Sequence, residues 1–106
     1  MKDVFFEEHW LDANGNPGGG VSSGKGMCLS WQNGPLGTGD ARKEPNGCFV
    51  ETVIQAVIGR IKFYQASQFA CDENAGALVA LERAAEWLDS RTKERTARQV
   101  EGTHAL

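Results

Sequence analysis

The chain has 106 residues, enough for one domain with a modest core. Its 41% apolar and 24% charged content are those of an ordinary globular protein, which sets aside a disordered chain and a membrane-spanning one. A net charge of −3 argues against a general nucleic-acid binder, which carries a broad basic surface.

The first ten residues contain Asp3, Glu7 and Glu8 and lack the continuous apolar run of a signal peptide. A soluble, cytoplasmic protein is therefore expected. Val4 to Leu11 and Met27 to Trp31 are rich enough in aromatic and apolar residues to be strands. Between them, the glycine-rich stretch from Asn14 to Gly26 reads as a flexible loop, so an antiparallel strand pair with a long connection is predicted. Within that stretch, Gly19 to Gly26 nearly spells a phosphate-binding P-loop. It has Gly26 where the pattern needs Ser or Thr after Lys25, and a strand where it needs a helix. Gln32 to Asn46 is a second loop, with turn signals at Asn33-Gly34-Pro35 and Pro45-Asn46-Gly47.

The first 47 residues hold ten of the thirteen glycines and all three prolines, and the rest is helical in character. This divides one compact domain into an N-terminal strand and Gly-rich loop region, 1–45, and a helical hairpin with a tail, 46–106. Asn46 is a plausible cap for a first helix running to about Ala66. Its apolar positions Phe49, Val50, Val53, Ile54, Val57, Ile58 and Ile61 make a stripe too wide for one partner helix. The other edge must meet the strands or another copy of the protein. Ser67 to Asp72 connects to a second helix, capped by Asp72 and reaching about Arg98, with Gly102 stopping it in the tail. A short connection between two long helices implies an antiparallel hairpin. The fold class is thus α+β: a small antiparallel β element, then a long hairpin that oligomerises through its helices.

Leu81, Ala84 and Leu88 mark one face of the second helix, and Arg91, Arg95 and Arg98 continue the same spacing. Three guanidiniums on a face headed for a partner call for an anion or a facing carboxylate. The alternative is a solvated basic helix end that complements the macrodipole. The antiparallel arrangement would bring this row near free amides around Asn46 and Gly47. At the opposite end stand Tyr64, Phe69 and Asn74. An aromatic with a carboxamide can stack on a base and bond its edge, or the rings can simply pack under the turn.

Other chemistry has weaker support. Cys28, Cys48 and Cys71 are odd in number and widely spaced, so buried free thiols are expected rather than zinc or disulfides. His9 and His104 have no nucleophile at a recognisable spacing. Glu82, Glu86 and Asp89 resemble half of a helical magnesium site, but the first helix offers only Glu51, and a solvated acidic face explains them. No catalytic group, metal or cofactor is expected.

The segments Ser30 to Gly37 (SWQNGPLG), Pro45 to Ile54 (PNGCFVETVI), Phe63 to Asn74 (FYQASQFACDEN) and Trp87 to His104 (WLDSRTKERTARQVEGTH) resemble the Thoeris anti-defence 1 proteins of phages. The hairpin also resembles that of the shorter anti-CBASS 2 proteins. The resemblance covers residues 27–105, and its closing R-T-x-x-R…V-E-G-T block is the most specific part. It implies a sponge rather than an enzyme: a protein that holds cyclic nucleotide immune signals unmodified in the cytoplasm of the infected host. The family's main ligand is glycocyclic ADP-ribose, and some members also take cyclic di- or trinucleotides at a separate site. Members form dimers that build hexamers. Carried onto this chain, the glycocyclic ADP-ribose site falls on Tyr64 and Asn74, where Tyr64 replaces a family Phe. The cyclic oligonucleotide site falls on Arg91 and Arg95, with Thr92 beside them. Two other classes compete: a magnesium-dependent nucleotide hydrolase using Glu82, Glu86 and Asp89, and a purely structural oligomerising phage protein.

Overall fold

The structure, a computed structural model, describes residues 4–106. Asp3, one of the acids that argue against a leader, lies outside the described residues. The architecture is α+β as predicted, with a three-stranded antiparallel sheet followed by a helical hairpin. Contacts group the chain into two units, residues 4–49 with 99–106 and Val50–Arg98.

In the first unit β1 (Phe6–Leu11), β2 (Pro17–Gly24) and β3 (Met27–Trp31) form a sheet in the order β1-β2-β3. Here the glycine-rich stretch departs from its predicted role as a loop: most of it is the central strand β2. The reason is close approach rather than flexibility. A Cβ on Gly20 would lie 2.7 Å from the Glu8 carbonyl and 2.8 Å from the His9 ring, and one on Gly19 would lie 2.9 Å from the Trp10 indole. Glycine removes the obstacle, so a poor strand former becomes the residue that fits. The strand also carries the unit's buried polar group. Ser22, 2% exposed, accepts a hydrogen bond from Trp31 Nε1 at 2.8 Å and donates one to Glu7 Oε1 at 3.0 Å, linking all three strands. Asp12 Oδ1 accepts from the Asn14 and Asn16 amides and shapes the β1–β2 turn. Gly26, at φ +78°, closes the two-residue β2–β3 turn.

The loops after β3 are held by a pair of carboxamides. Gln32 Oε1 accepts from the Asn46 and Gly47 amides at 2.9 and 3.3 Å, while Asn46 accepts from the Asn33 amide and donates to the Asn33 carbonyl. Gly47 lies against the Trp31 carbonyl, 2.6 Å from where a Cβ would stand. The tail returns to the same unit. Arg42 grips Glu101 through two bonds of 2.6 and 2.8 Å, and the Gly37 amide donates to the Gly102 carbonyl at 2.8 Å.

In the second unit α1 spans Val50–Gln65 and α2 spans Asp72–Ala97. Asn46 is not the cap of α1: its side chain is engaged with Asn33, and the helix begins four residues later. Cys71, not Asp72, is the N-cap of α2, leaving Asp72 and Glu73 to favour the first turn electrostatically. The helix ends at Ala97, with Arg98 as its cap, and Gln99 at φ +62° takes the left-handed position. Gly102 therefore does not stop the helix. The seam is shallow. Ile58 is 5% exposed and is the buried apolar residue among those described, flanked by half-buried Ile54, Ile61, Leu81, Ala84 and Leu88. Val50 and Val57, two positions of the predicted α1 stripe, stay exposed, as do Val79 and Trp87 on α2. No described helix is long and apolar enough to cross a membrane.

Candidate functional site

Two ends of the hairpin carry the candidate residues. At the turn, Tyr64 stands in the last turn of α1 and Asn74 in the first turn of α2. The six residues between the helices are tightly fastened. Gln65 Nε2 donates to the Cys71 carbonyl at 3.1 Å, and the Cys71 amide donates to Gln65 Oε1 at 3.0 Å. Ser67 Oγ donates to the Tyr64 carbonyl at 2.5 Å and accepts from the Phe69 amide at 3.1 Å. These bonds tie the end of one helix to the start of the other, with Tyr64 and Asn74 on the two arms of the turn.

The surroundings are aromatic and cationic. Phe63 and Phe69 are 64% and 70% exposed, and the Phe63 and Tyr64 rings tilt against each other with centroids 6.3 Å apart. Arg60 lies over both rings, its guanidinium carbon 5.2 Å from one centroid and 4.9 Å from the other. Its Nε donates to the Tyr64 hydroxyl at 3.0 Å. Sequence reasoning passed over Arg60 and Gln65, although Arg60 sits one turn before Tyr64 at i, i+4 spacing, the signal that two helical side chains meet. Phe69 is not packed under the turn, which removes the bland explanation for that ring.

At the far end, about 25 Å along α2 at 1.5 Å per residue, Arg91, Thr92 and Arg95 lie within little more than one turn. Arg95 is half-buried at the end of the apolar seam; Arg91 and Thr92 are exposed. Their basic neighbours are engaged. Lys93 pairs with Asp89 at 2.9 Å, and Arg98 pairs with Glu94. The hydrogen bond and the charge of Asp89 raise the Lys93 pKa above its ordinary value. Arg98 thus has the intrahelical ion pair that a structural role requires. One expectation is corrected here. The Asn46 and Gly47 amides both donate to Gln32, so they are not free to receive an anion beside the arginine row.

Between these ends runs a groove of about 570 Å³, lined by Glu51, Ile58 and Lys62 of α1 and Glu82, Glu86 and Asp89 of α2. The hairpin does gather the acids that looked incomplete in the sequence. Among the described residues, however, no three His, Cys, Asp or Glu side chains converge closely enough to hold a metal ion. Cys28 and Cys71 are exposed and Cys48 half-buried, which corrects the expectation of buried thiols.

A family model for the Acb2/Tad1 hairpin domain matches residues 30–93, more than half of the chain. The chain belongs to the Acb2/Tad1 family. The Acb2/Tad1 match runs from the end of β3 through the hairpin turn and includes Tyr64, Asn74, Arg91 and Thr92, while Arg95 lies just beyond it. The Thoeris anti-defense 1 protein of Bacillus phage SBSphiJ7 is 44% identical over 82 residues, covering 77% of this chain. The matched stretch is 55% of that relative's length, so the chain spans about half of it. In this Acb2/Tad1 chain the Gln32-Asn33 and Pro45-Asn46-Gly47 segments prove to be structural. They hold the carboxamide clasp between Gln32, Asn33 and Asn46. The V-E-G-T block likewise ties the tail through Glu101 and Gly102. The Arg42 guanidinium pKa is raised, first by its hydrogen bond to Glu101, so that clasp keeps its cation throughout the working pH range.

Proposed function

We propose that this chain is a phage anti-defence protein that sequesters cyclic nucleotide immune signals without degrading them, acting in the cytoplasm of the infected bacterium. The observation that carries the reading is family membership combined with a hydrogen-bonded aromatic turn whose two arms carry Tyr64 and Asn74. Tyr64 offers a ring for base stacking, and the Asn74 carboxamide offers a donor and an acceptor for a base or sugar edge. Glycocyclic ADP-ribose is the ligand assigned to this end. Cyclic di- or trinucleotides are assigned to Arg91 and Arg95, whose guanidiniums suit phosphates, with Thr92 as a hydroxyl partner. The first assignment corresponds to inhibition of Thoeris immunity and the second to inhibition of CBASS.

Sequestration needs affinity and slow release, not chemistry, and affinity comes from burying most of the ligand in a preorganised pocket. The candidate residues at both ends stand in the open: Phe63 and Phe69 at the turn and Arg91 and Thr92 at the far end are exposed. The exposed Val57, Val79 and Trp87 supply apolar surface for self-association, so pockets shared between protomers of a dimer or hexamer complete the proposal.

The test is recovery of the ligand. Glycocyclic ADP-ribose incubated with the protein should vanish from the filtrate and return with unchanged mass after heat denaturation. The competing reading, a magnesium-dependent nucleotide hydrolase, would have to use the groove lined by Glu51, Glu82, Glu86 and Asp89. Recovery of cleaved products would establish that reading in place of the sponge.

A further inference from the structure

One face of the Tyr64 ring is already covered. Arg60 lies over it at 4.9 Å and over Phe63 at 5.2 Å, held by the 3.0 Å bond from its Nε to the Tyr64 hydroxyl. No carboxylate pairs with Arg60 among the described residues. With Nε directed to the phenol, the two Nη groups keep four N–H donors without a protein acceptor among those residues. A cation stacked on π faces, fixed at one corner by a neutral hydroxyl and lacking an acid, is prepared for an anion.

We propose that Arg60 is the anion-recognising residue of the hairpin-turn site, contacting a ligand phosphate through its Nη edge while the base stacks on the same aromatic group. This deepens the proposed function and rests on it. The Tyr64 hydroxyl is the positioning group: it accepts from Nε and keeps the guanidinium over the rings. A Phe at that position would keep the ring and lose the acceptor that fixes Nε. Recognition is then of a nucleotide bearing a phosphate beside its base. The site takes charge and ring together and discriminates against an uncharged nucleoside.

The experiment is calorimetric titration of glycocyclic ADP-ribose into the wild type and into Arg60→Ala, Arg60→Lys, Tyr64→Phe and the Arg60→Ala/Tyr64→Phe double variant, at low and at physiological salt. Thermal melting of each variant reports its folding. Arg60→Ala should weaken binding by about tenfold or more, the order expected for a lost charge-assisted hydrogen bond, and flatten the salt dependence. Arg60→Lys should restore the salt dependence but only part of the affinity. Tyr64→Phe should weaken binding several-fold, and Arg60→Ala should matter less in its background than in the wild type. If Arg60→Ala binds as the wild type does, with the same salt dependence, Arg60 merely braces the helix end; the inference falls and the proposed function stands. If the wild type itself does not bind, the proposed function falls and takes this inference with it.

Discussion

Ser22, Gly20 and Asn46 show how much of this chain's information is carried by single contacts. Gly20 is there because the Glu8 carbonyl and the His9 ring occupy the space of a side chain. Gly20→Ala should therefore cost about 1–3 kcal/mol through overpacking, read as a lower melting temperature. Asn46→Ala removes both bonds to Asn33 and should cost about 1–2 kcal/mol while leaving ligand affinity unchanged, which thermal melting and titration together would check. The opposite pattern is expected at the sites. Tyr64→Ala or Asn74→Ala should abolish glycocyclic ADP-ribose binding and spare cyclic trinucleotides, and the Arg91→Ala/Arg95→Ala pair should do the reverse. Equal effects of both on both ligands would refute the two-site account. The residues of the proposed sites are visible in the sequence. Tyr64, Asn74, Arg91 and Arg95 stand out by residue type and by position at helix ends. Arg60 does not, because an isolated arginine on an exposed helix face looks like any solvated charge until its stacking partners are seen.

The elements divide in the same way. Both helices and β3 could be read from periodicity and aromatic content, since those signals depend on neighbours within the element itself. β2 could not. Its sequence, Pro17–Gly24, is dominated by Gly and Ser, and what makes it a strand is the close passage of β1 and the Trp31–Ser22–Glu7 relay, which no local pattern contains. The start of α1 lies later than the sequence suggests for a related reason: Asn46 has a capping residue's chemistry but gives its side chain to Asn33. Within the hairpin, Ile58 carries the seam, and Ile58→Ala should cost about 2–4 kcal/mol, measurable by chemical denaturation. The Asp89–Lys93 pair supports the last turns of α2. Because the Lys93 pKa is raised in the folded state, its contribution is complete below the ordinary lysine value, about 10.4, and is lost as pH climbs through the raised one. Both partners are exposed, so the pair's share of the stability is small, and helical content from circular dichroism should be flat across neutral pH.

At the scale of the whole molecule, a hairpin that buries Ile58 but exposes Val57, Val79 and Trp87 leaves apolar surface that the proposed self-association would cover. Trp87→Glu or Val79→Asp should lower the assembly state seen by native mass spectrometry, and with it the affinity for any ligand shared between protomers. The central claim, however, is that the protein holds a nucleotide signal and releases it intact. Mass spectrometry of the small molecules freed by heat, after exposure to glycocyclic ADP-ribose and removal of unbound ligand, tests it most directly. The account predicts stoichiometric recovery at the unaltered mass, with none from a Tyr64→Ala/Asn74→Ala variant. Recovery of hydrolysed fragments, or of nothing from the wild type, would contradict it.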